Sequence, residues 1–194
     1  MNKIVLLALA ASTVSVATPA LAQVTGTINL SGKVEAKCLV LPAGGTTFGP
    51  AATISLGELA DGTGRLRASS TLEAQINGVA GTTARVVCTS AAPTISVDAT
   101  ELATTAAADT GYDNSIDFNA KVVVTTTTGS ATFNNDSSAT ALGATAIGGR
   151  VANNGSDNIV ITTNNFRTNN PTTDLLVASP TYSGSIVVVI APGA

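Results

Sequence analysis

Strict alternation of apolar or small residues with polar ones runs from Val24 to Val40. The even positions carry Val24, Gly26, Ile28, Leu30, Gly32, Val34, Ala36, Cys38 and Val40. The odd positions from Thr25 to Lys37 are all polar. A period of two is typical of a half-buried strand. At about 3.3 Å per residue the run would extend about 50 Å, whereas most strands have about 5 to 6 residues. We therefore predict two strands, over residues 24–30 and 34–41. One would belong to this domain, and the other would be available to the domain of another molecule.

Short runs rich in Val, Ile and Thr follow, separated by Gly, Asn and Pro. They predict further strands at residues 54–57, 70–76, 84–89, 94–97, 117–126, 130–133, 159–161 and 182–190. The central one has Phe118, Ala120, Val122 and Val124 on one side. The polar stretches 104–114 and 134–158 predict surface loops. Many short strands and no helix predict an all-β fold of the β-sandwich class.

The composition narrows the class of protein further. Only 11% of the 194 residues are charged, the formal net charge is −3, and His and Trp are absent. Thr and Val favour strands, while Gly and Asn favour turns. No basic patch is visible, so nucleic acid is not expected as a partner.

The first 22 residues have the features of a secretory signal peptide. Lys3 is followed by an apolar stretch and then by Ala20-Leu21-Ala22, which matches the small-residue cleavage pattern. We expect cleavage after Ala22 and secretion of the rest; a buried N-terminal helix is the less favoured alternative. An even, small number of cysteines in a secreted protein predicts one disulfide, between Cys38 and Cys88.

Catalysis has little support in this sequence. Without histidine, Ser-His-Asp and Cys-His arrangements are impossible. Paired carboxylates can cleave glycosides, but the two Tyr and four Phe offer few aromatic platforms for a sugar. We expect no enzyme, no cofactor and no metal site. The acidic cluster of Asp109, Asp113, Asn114 and Asp117 could bind calcium, but it lacks the pattern of the EF-hand loop and is better explained as a solvated loop.

Several landmarks occur in an order that matches a known family. They are the stretch 24–30 with a cysteine after it, Phe48-Gly49, the stretch 85–89 around Cys88, and the strand at 182–189. In this order the chain resembles the spore coat U family, whose members are pilin subunits of the archaic branch of chaperone–usher pili.

The resemblance implies an immunoglobulin-like sandwich that lacks its last strand and is completed by donor-strand exchange. It divides the chain into a signal peptide (1–22), a donor extension (23–31) and a pilin-like domain (32–194). Val24, Gly26, Ile28 and Leu30 would be the donor residues that fill a neighbour's groove. The groove would be lined by the C-terminal strand, at Tyr182, Gly184, Ile186, Val188 and Ile190, which would pair first with a periplasmic chaperone.

The implied function is that of a structural subunit in a surface fimbrium. Subunits would pass an outer-membrane usher and form a head-to-tail homopolymer that serves adhesion or biofilm formation. Two alternatives remain: a secreted coat or matrix protein with a complete sandwich, and a calcium-binding surface domain that does not polymerise.

Overall fold

The computed structural model describes residues 27–41, 53–79 and 81–193. The chain divides into two units, one ending at Lys33 and one beginning at Val34. In the first unit, residues 27–33 are exposed and belong to no helix or strand. The predicted signal peptide, Val24, Gly26 and Phe48-Gly49 lie outside the described residues.

The described part of the second unit contains ten strands and one short helix. In chain order they are β1 (Cys38–Leu41), α1 (Ser69–Ile76), β2 (Thr83–Cys88), β3 (Thr94–Ala103), β4 (Tyr112–Asp113), β5 (Ser115–Thr126), β6 (Gly129–Asp136), β7 (Leu142–Ala146), β8 (Ile159–Arg167), β9 (Leu175–Leu176) and β10 (Ser183–Ala191). The fold is therefore all-β, as predicted.

The strands form a β-sandwich-like arrangement. One group has the order β1-β2-β8-β5, with β6 on the far side of β5, and every pairing in it is antiparallel. The other group places β10 and β7 against β3, also antiparallel. The groups join where Leu102 and Ala103 of β3 pair with Ile116 and Ser115 of β5. A separate parallel pair is formed by β4 and β9.

The core follows from the alternation along these strands. In β5 every second side chain from Ile116 to Thr126 is buried, including the predicted set Phe118, Ala120, Val122 and Val124. These side chains pack with Val86 of β2 and Ile95 and Val97 of β3 in one hydrophobic cluster.

The segment 70–76 was predicted as a strand, and this was wrong because it lies in α1. Leu72 and Ile76 are four residues apart, a spacing that fits both a strand face and a helix face. In the helix Leu72 is fully buried. Asn77, directly after the helix, hydrogen-bonds the part of β8 that lies beyond its short pairing with β2. Its side chain accepts from the Thr163 N–H at 2.9 Å and donates to the Thr163 carbonyl at 3.1 Å.

Three further predictions of local structure differ from the fold. β1 begins at Cys38, four residues later than predicted, and Val34 is exposed. Residues 54–57 form no strand. The stretches predicted as loops contain β4 and β7; β7 is mostly exposed and has no clear alternation, which explains why it was missed.

Candidate strand-binding groove

One edge of β10 carries no strand among the described residues. The other edge pairs with β3 over its whole length, from Ser183 opposite Ala103 to Ala191 opposite Thr94. In the strand order β10 stands at the end, next to β3 alone. A strand edge of nine residues with unpaired N–H and C=O groups is a template for pairing with another chain.

The inward face of β10 is apolar and only partly covered. Val188 is buried, while Ile186 and Ile190 are partly buried and pack against the core. Val187 and Val189, which alternate with them along the strand, are half-exposed. The predicted alternation is therefore confirmed from Ile186 to Ile190, whereas residues 183–185 are all exposed. Part of the apolar face remains accessible.

Three adjoining cavities follow β10 from one end to the other. The first, of about 230 Å³, lies between β1 and β10 and is lined by Cys38, Leu39, Val40, Val86, Val188, Val189 and Ile190. The second, of about 360 Å³, shares Val188 with the first and continues along Ile186 to Gly184. The third, of about 920 Å³, shares Gly184 with the second and reaches Tyr182. Together they line β10 from Ile190 to Tyr182, and we call them the β10 groove.

The wall opposite the first half of β10 comes from a segment without strand structure. Ile54 and Leu56 line both the second and the third cavity, whereas Thr53 and Ser55 line only the third and are exposed. The strand predicted at residues 54–57 is absent, since these residues pair with no strand among the described residues.

One polar atom in the groove has no partner. Thr163 lines the second cavity and is 2% exposed, and its hydroxyl makes no hydrogen bond. The remaining lining of that cavity is mainly apolar, with Phe118, Ile161 and Phe166 on its floor. Sequence reasoning did not include these residues in the groove, because they come from β5 and β8 and only the tertiary fold brings them beside β10.

Gly184 allows β10 to approach β3 closely. The pairing register shifts between Ser183 and Ser185, as in a β-bulge. A Cβ atom on Gly184 would lie 2.7 Å from the carbonyl oxygens of both Thr100 and Glu101, too close for any side chain.

Tyr182 lines the third cavity at the start of β10. Its hydroxyl donates to the carbonyl of Val177 at 2.8 Å, five residues upstream. Burial raises the pKa of Tyr182, and the nearby charge of Asp113 raises it further. The phenol therefore remains a neutral donor that ties the start of β10 to the segment after β9.

The predicted disulfide between Cys38 and Cys88 is confirmed. The two residues lie directly opposite each other in the pairing of β1 with β2. Since Cys38 also lines the first cavity, the disulfide fixes the wall of the groove that faces β10.

Two of the predicted donor residues lie within the described part of the chain, and both are exposed. Ile28 is 87% exposed and Leu30 is 92% exposed. Exposed large aliphatic side chains in an extension without secondary structure lack the burial that usually stabilises them.

The acidic cluster does not converge on one point. Asp113 accepts from the backbone N–H of Asn169 at 3.0 Å, and Asp117 accepts from the hydroxyl of Ser137 at 3.1 Å. Asp109 accepts from the N–H of Thr110, and the Asn114 amide donates to Ala106. Over the described ranges, no three Asp, Glu, His or Cys side chains form a group that could hold a metal ion.

Within the part of the chain that the structure covers, no helix has the length and apolar character needed to span a membrane. Comparisons of the chain with models of known protein families, with curated proteins and with solved structures found no match.

Proposed function

We propose that this protein is a structural subunit of a surface fibre assembled by donor-strand complementation. The observation that carries the proposal is the β10 groove: an apolar channel beside a strand edge that no described strand occupies. The N-terminal extension of a second subunit, residues 23–31, fills this groove. An added strand gains main-chain hydrogen bonds along the edge, and its alternate side chains enter the groove.

The order of the strands supports an incomplete immunoglobulin-like sandwich. β1, β2, β8 and β5 form one sheet, while β10 and β3 belong to the other. A tyrosine just before a late strand, hydrogen-bonded to the backbone a few residues upstream, is a hallmark of such sandwiches. Tyr182 and Val177 have this relationship. The strand that would complete the second sheet beside β10 is the one that the partner supplies.

Burial of the extension provides the driving force for assembly. Burying a Leu or Ile side chain stabilises by roughly 1.5–3 kcal/mol, and Ile28 and Leu30 are both exposed in the single chain. The extension and the groove are different surfaces of one chain, so the contact is heterologous and generates an open filament.

Export completes the proposal. A disulfide is compatible with an oxidising compartment, and the subunit enters the periplasm after removal of the signal peptide. A periplasmic chaperone covers the β10 edge until an outer-membrane usher adds the subunit to the fibre. The fibre at the cell surface serves adhesion or biofilm formation.

Electron microscopy of cells that express the chain with its cognate chaperone and usher tests this function. The wild-type chain should give fibres, and deletion of residues 23–31 should abolish them. Fibres that persist after the deletion would contradict the proposal, as would a soluble monomer and no fibres from the wild type. The latter result would favour a secreted coat or matrix protein.

Matched point variants sharpen this test. Ile28→Asp places a carboxylate in the groove without a partner, which is costly, and should abolish fibres. Thr27→Asp adds the same charge one position away, on the outward face of the same strand, and should leave fibres intact. Equal loss of fibres in both variants would show that the extension does not insert as an alternating strand.

A further inference from the structure

We propose that Asn154 is a site of spontaneous deamidation, at which water converts the side-chain amide to a carboxylate, and that the fold protects Asn77 from the same reaction. Both asparagines are directly followed by glycine, at Asn77-Gly78 and Asn154-Gly155. None of the residues 153–157 lines the β10 groove, so the modification is independent of the proposed function.

An Asn-Gly pair allows the chain to react with itself. Asparagine is among the chemically labile residues of proteins. Because glycine has no Cβ, its backbone nitrogen can approach the preceding carboxamide without a side chain in the way.

The reaction requires only the chain and water. The backbone nitrogen of Gly155 attacks Cγ of Asn154, and the bond from Cγ to Nδ2 breaks. Ammonia leaves with the proton of the Gly155 N–H, and a cyclic succinimide remains. Water then adds to either carbonyl of the ring, which opens to aspartate or isoaspartate. Each product carries a negative charge that asparagine lacks.

Exposure and glycine conformation do not distinguish the two pairs. Asn77 and Asn154 are both exposed. Gly78 and Gly155 have similar positive φ angles, 84° and 90°, and a Cβ on either would meet no atom within 4 Å. The difference between the pairs lies in the hydrogen bonds of the two asparagine side chains.

The Asn77 carboxamide is held at both of its polar atoms. Its Oδ1 accepts from the Thr163 N–H at 2.9 Å, and its Nδ2 donates to the Thr163 carbonyl at 3.1 Å. The Asn77 N–H also donates to the Glu73 carbonyl at 2.8 Å. The side chain is therefore fixed against β8, and its Cγ can turn toward the Gly78 nitrogen only when the bonds to Thr163 are broken.

The Asn154 side chain has a local contact instead. Its Oδ1 accepts from the Ser156 N–H, two residues further along the chain, at 3.2 Å. Residues 153–157 are all exposed and belong to no helix or strand. Water can replace a bond of this kind at little cost, so the carboxamide is free to turn toward the Gly155 nitrogen.

The loop around Asn154 is anchored on both sides by other residues. Asn153 accepts from Arg85 Nη2 at 3.0 Å, and Asp157 accepts from the Thr83 hydroxyl at 2.6 Å. Asn154 takes no part in these bonds to β2. The deamidated chain should therefore stay folded and accumulate as a more acidic form.

Peptide mapping by mass spectrometry of the purified chain, incubated at mildly alkaline pH, tests the proposal. In the folded protein Asn154 should convert at least about tenfold faster than Asn77, because two hydrogen bonds of ordinary net strength lower the free population of the Asn77 side chain by about that factor. In urea the two rates should become similar, since both side chains are then free.

Variants at Asn154 provide the controls. Asn154→Asp gives the elution position of the deamidated form in ion-exchange chromatography. Asn154→Gln should not produce that form, because glutamine would have to close a larger ring. Conversion of Asn154 no faster than that of Asn77 in the folded protein, or an acidic form that still accumulates in Asn154→Gln, would overturn the proposal. A rate difference that persists unchanged in urea would overturn protection by the fold.

Discussion

The side chain of Asn158 binds both backbone groups of Val86. Its Oδ1 accepts from the Val86 N–H at 2.8 Å, and its Nδ2 donates to the Val86 carbonyl at 2.6 Å and to the Ala152 carbonyl at the same distance. Asn158 is only 1% exposed. β8 begins at the next residue, and β2 and β8 pair only at Thr83 and Ala84. At Val86, where β2 no longer pairs with β8, the Asn158 amide makes the hydrogen bonds that a strand would make. Val86 also lines the first cavity of the β10 groove.

Asn158→Ala should lower the free energy of unfolding by about 2–4 kcal/mol, because it leaves buried backbone groups of Val86 without partners. Urea denaturation monitored by circular dichroism measures the effect. Asn154→Ala is the matched control, since Asn154 is exposed and receives only a local bond from the Ser156 N–H. Equal losses in the two variants would contradict the role assigned to Asn158.

Gly184→Ala should destabilise the pairing of β10 with β3. The added methyl group would lie 2.7 Å from two backbone carbonyl oxygens, and strain of this kind costs about 1–3 kcal/mol. Gly143→Ala in β7 is the control, because a Cβ there meets no atom within 4 Å. Thermal unfolding should show a lower Tm for the first variant only; unchanged Tm for Gly184→Ala would argue against the bulge.

Cys88→Ser should remove about 4 kcal/mol of stability in the chain-entropy account of a disulfide that closes a loop of this length. The expected result is a lower Tm for the variant, and a similar fall for the wild type after reduction. Cys38→Ser should behave in the same way. A variant with the Tm of the oxidised wild type would contradict a stabilising role for this bond.

The ion pair between Asp136 and Arg167 should give the protein a specific sensitivity to acid. Arg167 Nη2 donates to Asp136 Oδ1 at 2.7 Å. Burial acts to raise the pKa of Asp136, but the bonds from Arg167 and Ser138 together outweigh it and hold the pKa below its usual 3.8. A lowered folded-state pKa means that the stabilisation is present above pH 3.8 and is lost as the pH falls through the lower value.

Asp136→Asn should therefore reduce stability at neutral pH and have little effect at about pH 2. The loss at neutral pH should be below about 1 kcal/mol, since both side chains are partly exposed to solvent. Urea denaturation at the two pH values measures it, with Asp98→Asn as a control for the loss of one exposed negative charge. An Asp136→Asn effect that does not change with pH would contradict the ion-pair account.

The strands that were predicted correctly are those whose buried face can be recognised from the local alternation of apolar and polar residues. β5 is central, and its strict alternation from Ile116 to Thr126 is a direct signal of a strand with one buried face. β10 shows the same alternation between Ile186 and Ile190. The disulfide could also be predicted, because only two cysteines exist.

The elements that were missed depend on partners distant in sequence. α1 shares its apolar spacing with a strand, and its contact with the edge of β8 through Asn77 and Thr163 is not visible in a local pattern. The groove wall formed by Ile54 and Leu56 cannot be predicted without knowing where β10 lies. The size of each cavity depends on the whole fold.

The central claim is that the β10 groove binds residues 23–31 of another copy, and titration of the purified chain with a synthetic peptide of those residues tests it most directly. Because a ligand that binds only the folded state raises its stability, the peptide should raise Tm in proportion to the logarithm of its concentration. A peptide with Thr27→Asp should act like the wild-type peptide, and one with Ile28→Asp should have no effect. A Tm that does not respond to the wild-type peptide, or that responds equally to the Ile28→Asp peptide, would contradict the account.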